Sequence, residues 1–582
     1  MSAKKFAEAN EVDEVDVVIV GAGIAGLYCA LRLFEDDNTR RITIVERLNR
    51  TGGRLDTDII DFAGGFEVRE EEGGMRFNYA MDELMNLTNK MGLCDQIVPF
   101  PMSSDGNSNR LHLRNQTFTQ AEAGQRNNGI WGEIYDLNED ELGLSPTDIV
   151  GQAFTALLDA NNFPVPEGPE DWTVFRETCT WRDVTLNNWQ MWGLLRDMGH
   201  SGECIHMLSE TIGFAGPFKG PINAGCAFQI LADFPKDPSY FTFQRGFATL
   251  PDAIASSLEA QFGDQFTILL STNVDEIRRE EDGFRFELTE APHDRNSNPF
   301  IRGGTTKELS APTTIIAVAT AGMEKLFASS PALNAHPEAT RLWNSMHAAC
   351  GMELMKINLY FDEAWWENGS ITPPVQFGPN FSSLPVNAVY PFYSLSGDAS
   401  IPDGPAALTI YCDFNNTNFW AGLQNVEPKF SSEMQASEDA HVPQRVYGAS
   451  QAVVDEAKKQ LGLLFRLESV PDPVLTSYRC WDGTDDFEYA YHQWRPGVND
   501  REVRAYLSNP IPGVYFCNEA ISDMQGWVNG SLRSSDAALA HFGIEPLAAA
   551  PCASPNHAAD AEHAAEVASG KRVTRQSGVW GA

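Results

Sequence analysis

The stretch Val15–Leu33, VDVVIVGAGIAGLYCALRL, begins with a run of β-branched residues and continues through three spaced glycines. Gly21, Gly23 and Gly26 follow the pattern G-x-G-x-x-G. The first glycine permits a tight turn, the second lets a pyrophosphate approach the backbone, and the third lets the helix pack against the strand. The N-terminus of that helix offers free N–H groups to phosphates. The pattern therefore predicts a strand–turn–helix unit that binds a dinucleotide.

A second predicted strand supports this interpretation. It spans residues 41–45 and ends in Glu46, roughly 20 residues after the last glycine, where an acid accepts hydrogen bonds from a ribose diol. An isolated G-x-G-x-x-G also occurs in ordinary strand-to-helix turns. The acid at this spacing favours the dinucleotide site.

Chain length and charge indicate the number of domains and the kind of partner. A chain of 582 residues is too long for one core and predicts two or more domains. The formal net charge of −38 repels phosphate backbones, so nucleic acid is not an expected partner. Solubility is the simpler explanation of this charge, and attraction of cationic small molecules is the alternative.

The cysteines and the apolar segments indicate where in the cell the protein is expected. None of the ten cysteines forms a C-x-x-C pair or a Cys/His cluster with zinc spacing, so no metal is expected and the thiols are predicted to be mostly reduced and buried. The N-terminal residues lack the apolar core of a signal peptide, and no run of 18 apolar residues occurs. We expect no membrane contact and a cytoplasmic location, with secretion by another route left open.

A second glycine motif indicates which dinucleotide the chain binds. Arg47 follows Glu46, and Gly52, Gly53 and Arg54 come soon after. Paired glycines let the backbone run beside a ligand, and the arginine can neutralise a pyrophosphate. The alternative is an ordinary turn with a surface arginine. The joint pattern resembles the flavin-dependent amine oxidase (flavin monoamine oxidase) family, which binds FAD, whereas NAD-dependent dehydrogenases lack the GGR.

The stretch EEGGMRF adds Gly73, Gly74, Met75 and Arg76. The Met-Arg pair is similar to the L-amino-acid oxidase branch of that family and to the related amino-acid monooxygenases. Monoamine and polyamine oxidases lack it. The resemblance implies that Arg76 holds the substrate carboxylate, and a planar guanidinium suits this through two parallel bonds. The alternative is a structural ion pair with one of the three preceding glutamates.

Two residues from the second half of the chain, Lys356 and Tyr390, also belong to the predicted site. Lys356 lies in the strand-like run LMKINLYF, and the resemblance implies that it holds a water near flavin N5 that serves imine hydrolysis and reoxidation. A lysine at a strand edge that points to solvent is the alternative. Tyr390, in LPVNAVYPFY, is implied to donate its hydroxyl to the substrate carboxylate. Tyr393 competes for that role, and a packed core tyrosine is the other alternative.

The segment GVYFCNEAISDMQGWVNGSLRSSDAALA reads as strand, turn and helix. Glu519 resembles the acid that binds the ribityl hydroxyls or the pyrophosphate edge of FAD. Gly526, Trp527 and Val528 resemble the stretch under the flavin ring. The resemblance implies that Trp527 forms a wall of the substrate site and that the Gly526 carbonyl accepts a hydrogen from the substrate amine. An aromatic residue packed in a plain strand–turn–helix is the alternative.

Just upstream, His492 and Trp494 stand in a stretch similar to one near the isoalloxazine in amino-acid oxidases. Monoamine oxidases carry a flavin-linked cysteine in this region, and none stands here, so we expect FAD to be bound non-covalently.

Val274 matches the strand that contacts the adenine in this family, and the contact is through its backbone. The predicted FAD contacts are Gly21, Gly23, Ile24, Ala25, Gly26, Glu46, Arg47, Gly53, Arg54, Gly73, Gly74, Met75, Arg76, Val274, Glu519, Gly526, Trp527, Val528 and Ser531. The predicted catalytic group is Arg76, Tyr390, Trp527 and Lys356, and substrate contacts come from Arg76, Tyr390, Gly526 and Trp527.

The implied fold is α/β: a glutathione-reductase-like, FAD-binding Rossmann-like domain, an α+β substrate domain and a helical insertion. The predicted divisions are a flexible N-terminus 1–14, FAD-binding pieces 15–105, 241–330 and 476–545, a substrate and helical insertion 106–240, a substrate-binding domain 331–475 and a flexible tail 546–582.

The implied reaction is oxidative deamination of an L-α-amino acid. Hydride passes from Cα to flavin N5, and the products are a 2-oxo acid, ammonia and hydrogen peroxide, with O2 as acceptor. His206 could assist deprotonation, although a structural role is favoured. The alternatives are an amino-acid 2-monooxygenase that forms an amide, a polyamine or monoamine oxidase, and a silent FAD-binding protein. The resemblance also implies a homo-oligomer, expected to be a dimer.

Overall fold

The β-branched run of the opening stretch forms a fully buried strand, Val17–Val20, and the glycine turn leads into the helix Ile24–Asp36. This confirms the predicted strand–turn–helix unit. The computed structural model describes residues 12–232, 239–290, 306–394, 404–436, 448–484 and 488–553.

The strands, in chain order, are β1 Asp13–Glu14, β2 Val17–Val20, β3 Ile42–Val45, β4 Thr57–Phe62, β5 Phe66–Glu71, β6 Ile97–Pro99, β7 Arg110–Leu113, β8 Gln116–Thr119, β9 Thr180–Trp181, β10 Val184–Thr185, β11 Phe241–Phe243, β12 Phe266–Leu269, β13 Thr272–Glu280, β14 Gly283–Glu290, β15 Thr306–Ala311, β16 Thr313–Ile316, β17 Ala349–Met352, β18 Leu354–Phe361, β19 Asn380–Ser382, β20 Ala388–Tyr393, β21 Ala406–Asp413, β22 Leu475–Trp481, β23 Tyr491–Trp494 and β24 Val514–Phe516.

The α-helices are α1 Ile24–Asp36, α2 Asp82–Lys90, α3 Gln120–Gln125, α4 Gly129–Ile134, α5 Pro146–Asn161, α6 Pro169–Thr178, α7 Met191–Asp197, α8 Gly202–Thr211, α9 Gly216–Lys219, α10 Ala224–Ala232, α11 Thr249–Phe262, α12 Thr320–Ser329, α13 Pro331–Asn334, α14 Ala339–Met346, α15 Asn415–Gln424, α16 Glu433–Ala436, α17 Gln451–Phe465, α18 Asp500–Leu507 and α19 Val528–Leu539.

A five-stranded parallel sheet in the order β12-β3-β2-β16-β24 forms the centre of the nucleotide-binding part. Its strands come from three separated stretches of the chain. Val17 and Ile19 pack among α1, α2, α11 and α19, while Val18 and Val20 face a core shared with β13–β15 and α12–α14. Because both faces are covered, these strands are rich in apolar and β-branched residues, and the polar residues among them are threonines. This is the predicted α/β, Rossmann-like fold.

A seven-stranded sheet in the order β22-β18-β21-β20-β19-β7-β8 forms the second part. Its β18 is second from one edge, where it pairs with β22 and β21. Because side chains alternate along a strand, one face carries the apolar residues Met355, Ile357, Leu359, Ile410 and Cys412 of a separate core. The opposite face carries Lys356, Asn358, Thr409, Tyr411 and Asp413, all buried or half-buried. A buried face of polar residues marks the side on which the site lies.

The predicted helical insertion is present as α5 to α10. Its first helix, α5, has Ser145 as N-cap, whose hydroxyl accepts the Asp148 N–H, and Pro146 at the start of the helix. The insertion has its own core, which also includes Met352, Leu354 and Tyr491. It therefore packs against the polar face of the seven-stranded sheet.

Only the inner residues of the two predicted flexible ends lie in the described part of the chain. Asp13–Glu14 form β1, which pairs with Leu309 and Ser310 of β15. Residues 1–11 and 554–582 lie outside the described part. Residues up to 553 are held by a disulfide between Cys552 and Cys94, so the prediction of reduced cysteines is wrong for this pair. The eight other cysteines are free, and all except the half-buried Cys480 are buried, as predicted. Among the described helices, none has the length and apolarity needed to cross a membrane.

Candidate functional site

In the opening motif Gly23 borders an open space beside the backbone, and Gly26 is tightly packed. A Cβ built on Gly23 would meet no heavy atom within 4 Å, whereas one on Gly26 would lie 2.1 Å from the Gly21 carbonyl oxygen. Gly53, at φ +60°, lies against Gly23, and Gly23 forms a bridge with Gly52. Two glycine-rich backbones therefore run side by side next to free space at the start of α1, where Ile24 and Ala25 form the first turn. This cradle fits a pyrophosphate.

Glu46 lies at the end of β3, where the ribose is expected. Its carboxylate accepts the N–H groups of Ala22 and Leu48, both at 2.8 Å, and burial raises its pKa. Each carboxylate oxygen has a second lone pair, so acceptors for a diol remain. The Thr272 N–H donates to the Glu46 carbonyl at 2.9 Å, which brings Val274, two residues on, to the same end of the sheet. Arg47 is half-buried beside Glu46.

Glu519 connects three of the predicted motifs. One of its oxygens accepts Arg54 Nη1 at 2.7 Å and His492 Nδ1 at 2.9 Å, and the other accepts the backbone N–H groups of His492 and Gly526 at 2.9 and 2.7 Å. Burial alone would raise the pKa of this carboxyl, but Arg54 and His492 outweigh burial and lower the pKa to about 2. A carboxylate accepts about four hydrogen bonds, so Glu519 is satisfied by the protein. We therefore interpret it as a residue that positions Arg54 and Gly526, rather than one that itself binds ribityl hydroxyls.

The turn after Glu519 shapes the entry to the last helix. Gly526 has φ +87°, a conformation that favours glycine, and is followed by Trp527, the N-cap of α19. Val528 and Ser531 belong to the first turn of this helix. Because the helix N-terminus points to the same space as Gly526, it can stabilise negative charge there.

The second glycine pair packs against the GGR motif. A Cβ on Gly73 would lie 1.9 Å from the Arg54 carbonyl oxygen, and the Gly74 N–H donates to that oxygen at 2.9 Å. Met75 is buried beside Tyr390 in a small core. The close backbone approach explains why the stretch needs glycine, and it fixes the position of the following Arg76.

Arg76 lies in an aromatic environment between the two parts of the fold. Its guanidinium carbon is 4.7 Å from the centre of the Tyr240 ring, and that ring is nearly parallel to Trp527, with centroids 6.1 Å apart. A side-chain hydrogen bond joins Arg76 to Tyr390. The structure thus brings together Arg76, Tyr390 and Trp527, which are distant in sequence.

The alternatives for Arg76 and Tyr390 find less support. The three glutamates before Gly73 bond elsewhere: Glu70 accepts the Thr409 hydroxyl, Glu71 the Thr57 hydroxyl and Glu72 the Ser477 hydroxyl. Tyr393 donates to the Gln376 carbonyl at 2.6 Å, and its oxygen accepts Trp366 Nε1 at 3.1 Å, away from Arg76. Tyr390 is therefore the tyrosine of this strand that contacts Arg76.

Lys356 points into the site and not to solvent. Its side chain is 2% exposed, and its ammonium donates to the carbonyl oxygens of Glu71 and Gly73 at 2.6 and 2.7 Å. Burial lowers the pKa of Lys356 to about 8, against the opposing charges of the neighbouring glutamates. The nitrogen also lies 4.9 Å from the centre of the Tyr411 ring. An ammonium that loses its proton near neutral pH suits a role in proton transfer.

Three aromatic residues of the site escaped prediction: Tyr240, Tyr411 and Tyr491. Tyr411 lies 6.3 Å from Tyr390 between ring centroids, and a Cβ on Gly526 would lie 3.7 Å from Cδ2 of Tyr491. The alternation of polar and apolar residues in Thr409–Asp413 is a signal that could have identified Tyr411.

The two histidines named in the sequence analysis, His492 and His206, make contacts that stabilise the fold. His492 is fully buried between Glu519 and the Thr320 hydroxyl, and Trp494 donates Nε1–H to the Ser522 carbonyl. His206 packs its ring edge-to-face against Trp192 in the helical insertion. The favoured structural interpretation of His206 agrees with this contact.

Comparison with known proteins shows which family the chain resembles and which solved structures share its fold. The sequence profile of the family described as flavin containing amine oxidoreductase matches residues 24–538. An uncharacterized protein of Acanthamoeba polyphaga mimivirus is 22% identical over 552 residues, which are 92% of this chain and 95% of that protein. Among solved structures, a double mutant of putrescine oxidase superposes with a TM-score of 0.59 at 16% identity, covering 92% of this chain and 100% of the other. Cyclohexylamine oxidase from Brevibacterium oxydans gives 0.56 at 19% identity, with coverage of 90% and 98%.

Proposed function

The chain belongs to the flavin-containing amine oxidoreductases, and on that premise we propose that it is an L-amino-acid oxidase with non-covalently bound FAD. When bound, FAD supplies the oxidant that accepts a hydride from the substrate and passes the electrons to O2. The cradle at Gly23 and Gly53 would hold its pyrophosphate, and Glu46 its ribose. No cysteine stands in YAYHQWRPG, residues 489–497, the region in which monoamine oxidases carry a flavin-linked cysteine, which supports non-covalent binding.

The observation that carries the proposal is the position of Arg76. A guanidinium stacked on Tyr240 and bonded to Tyr390 is held in place, yet Arg76 is only half-buried, so its fork can meet a ligand. Held arginines recognise carboxylates through two parallel bonds. With the carboxylate fixed by Arg76 and Tyr390, the rest of an α-amino acid would lie beside Trp527, whose ring is parallel to that of Tyr240. Holding the reactant in register is the main contribution that these side chains make.

A peroxide assay tests the proposal. We would mix the purified FAD-loaded protein with each of the twenty common L-amino acids, their D-forms and a set of simple amines, and measure peroxide and product mass. Oxidation of L-amino acids to 2-oxo acids is the expected result. The two solved relatives named above are putrescine and cyclohexylamine oxidases, and oxidation of amines alone would overturn the carboxylate-binding role. Formation of amides with little peroxide would indicate a monooxygenase.

Lys356 is expected to act in the oxygen half of the reaction. Its ammonium can stabilise negative charge that develops on reduced oxygen and can hold the water that hydrolyses the imine. For Lys356→Met we expect the reoxidation of the reduced enzyme by O2 to slow by about 100-fold, the usual effect of removing one such donor. Stopped-flow mixing of reduced enzyme with oxygen measures this rate.

The pKa of Lys356 predicts the direction in which the reoxidation rate changes with pH. Because the pKa of Lys356 is lowered to about 8, the charged form prevails below pH 8 and disappears above it. The wild-type reoxidation rate should therefore fall as the pH rises through 8, and the rate in Lys356→Met should not. Lys429, whose ammonium donates to the Gln424 carbonyl at the surface, supplies the control Lys429→Met. Equal rates in wild type and Lys356→Met would contradict the assignment.

A further inference from the structure

A carboxylate that has no assigned role stands next to the proposed substrate site. Asp413 is the last residue of β21, two positions after Tyr411 and on the same face of the sheet. This is the polar face that also carries Lys356, which pairs across the strands with Tyr411. The side chain therefore points away from the apolar core behind the sheet and toward the helical insertion.

The carboxylate of Asp413 is buried and only partly satisfied. The residue is 2% exposed, and Oδ2 accepts the Gly216 N–H at 2.8 Å. Among the described residues, Oδ1 has no hydrogen-bond partner, and no ion pair to Asp413 occurs. Burial raises its pKa to about 6, while the amides of Gly216 and Ala215 and the charge of Lys219 oppose this rise. Near neutral pH the group is thus an anion with one free oxygen in a low-dielectric environment, which is costly unless a partner arrives.

Aromatic rings connect this carboxylate to the reaction centre. Tyr491 faces Gly526 with one edge, and its hydroxyl would lie 2.9 Å from a Cβ built on Gly216, the residue that donates to Asp413. Tyr411 contacts Phe214 of the insertion, with ring centroids 4.7 Å apart. The pKa values of both tyrosines are raised, first by burial and further by the charge of Asp413. The three side chains therefore surround one region between the turn at Gly526 and the insertion.

The separation suits a substrate with a charge at each end. Two residues along a strand span about 7 Å, so Asp413 lies about that far beyond Tyr411, which neighbours Tyr390. Aromatic walls with a carboxylate at the end bind a methylene chain that carries a cation, because the rings cover the chain and also attract the charge. The net charge of −38 would favour the approach of such substrates.

We propose that Asp413 binds the side-chain cation of the substrate, which makes the preferred substrates basic L-amino acids with an amine or guanidinium at the far end. The proposal rests on the proposed function and specifies its substrate class. Arg76 would hold the carboxylate at one end, and Asp413 the second cation at the other. The purely structural alternative is that Asp413 only anchors α9 to the sheet through the Gly216 amide.

The first test needs no variant. L-Norleucine has the carbon chain of L-lysine without the side-chain ammonium. We expect the wild-type FAD-loaded enzyme to oxidise L-lysine with a kcat/KM about 30-fold or more above that for L-norleucine, the effect of a buried charge pair. Equal values for the two would overturn the proposal.

The second test uses Asp413→Asn, which keeps an oxygen for the Gly216 amide and removes the charge. We expect kcat/KM for L-lysine to fall about 30-fold or more, with less than about a threefold change for L-norleucine. Asp197→Asn, in the helical insertion, is the control, because Asp197 accepts Trp181 Nε1–H at 2.7 Å within the insertion. An equal loss on both substrates would assign Asp413 to anchoring α9 and would overturn the inference.

The two proposals fail in different ways. If no L-amino acid is oxidised but amines are, the carboxylate-binding role of Arg76 is wrong. The same variant then compares 1,4-diaminobutane with butylamine, which differ only in the distal amine. A selective loss on the diamine in Asp413→Asn would support the cation-binding role, and an equal loss would overturn it.

Discussion

Arg76→Ala is expected to raise KM for the best L-amino-acid substrate by about 100-fold, with a smaller fall in kcat. Two charge-assisted hydrogen bonds to a carboxylate together contribute about 3 kcal/mol or more, and each 1.4 kcal/mol corresponds to a factor of ten in affinity. Alanine also removes the cation from the face of Tyr240, which lies against Trp527. Steady-state kinetics with an amino acid and with the corresponding amine measure the effect, and the amine should lose little.

Two further variants sharpen this result. Arg76→Lys keeps the charge but loses the planar fork, so we expect an intermediate KM. Arg341 also stacks on a tyrosine, with its guanidinium carbon 4.0 Å from the Tyr506 ring centre, but at an exposed surface, and Arg341→Ala should leave KM unchanged. An unchanged KM in Arg76→Ala would remove the main support for an amino-acid substrate.

The residues predictable from the sequence are those whose role depends on the local backbone. Gly26 must be glycine because the Gly21 carbonyl oxygen leaves no room for a Cβ, and Gly73 must be glycine because the Arg54 carbonyl oxygen does the same. Such requirements appear as fixed spacings in a linear pattern. For this reason the first βα unit and its glycine turn were predicted from sequence alone, whereas the contact of Gly73 with Arg54 was not, and the family assignment also required a resemblance.

The residues that escaped prediction depend on how distant segments meet. Tyr240 follows a stretch with no motif, yet it lies between Arg76 and Trp527. Cys94 and Cys552 are 458 residues apart, and their spacing carries no signal. The sequence predicts that Glu519 binds FAD, but only the folded chain shows that Arg54, His492 and Gly526 already bond to its oxygens. Sequence patterns thus identified many of the parts, and the folded structure showed which parts share a partner.

Glu519→Gln is expected to give a protein that is purified largely without FAD. Glutamine has one acceptor oxygen, whereas Glu519 accepts bonds from Arg54, from the Gly526 amide and twice from His492. Removing one member of a buried pair costs about 3–5 kcal/mol, and Arg54 and the turn at Gly526 would both lose their fixed positions. The visible flavin absorbance per protein, together with FAD titration of the apoprotein, measures the loss.

The pH dependence of the unfolding free energy distinguishes loss of the Glu519 charge from a change in side-chain shape. Because the pKa of Glu519 is lowered from 4.5 to about 2 in the folded protein, its carboxylate contributes stability that is fully present above pH 4.5. That contribution, about 3 kcal/mol, disappears as the pH falls toward 2. We expect the wild type to lose unfolding free energy over this interval more steeply than Glu519→Gln. Glu203→Gln, which breaks the exposed ion pair with Arg114, should change stability by less than about 1 kcal/mol. If Glu519→Gln retained FAD as well as Glu203→Gln does, the carboxylate would not be the residue that holds the two halves of the site together.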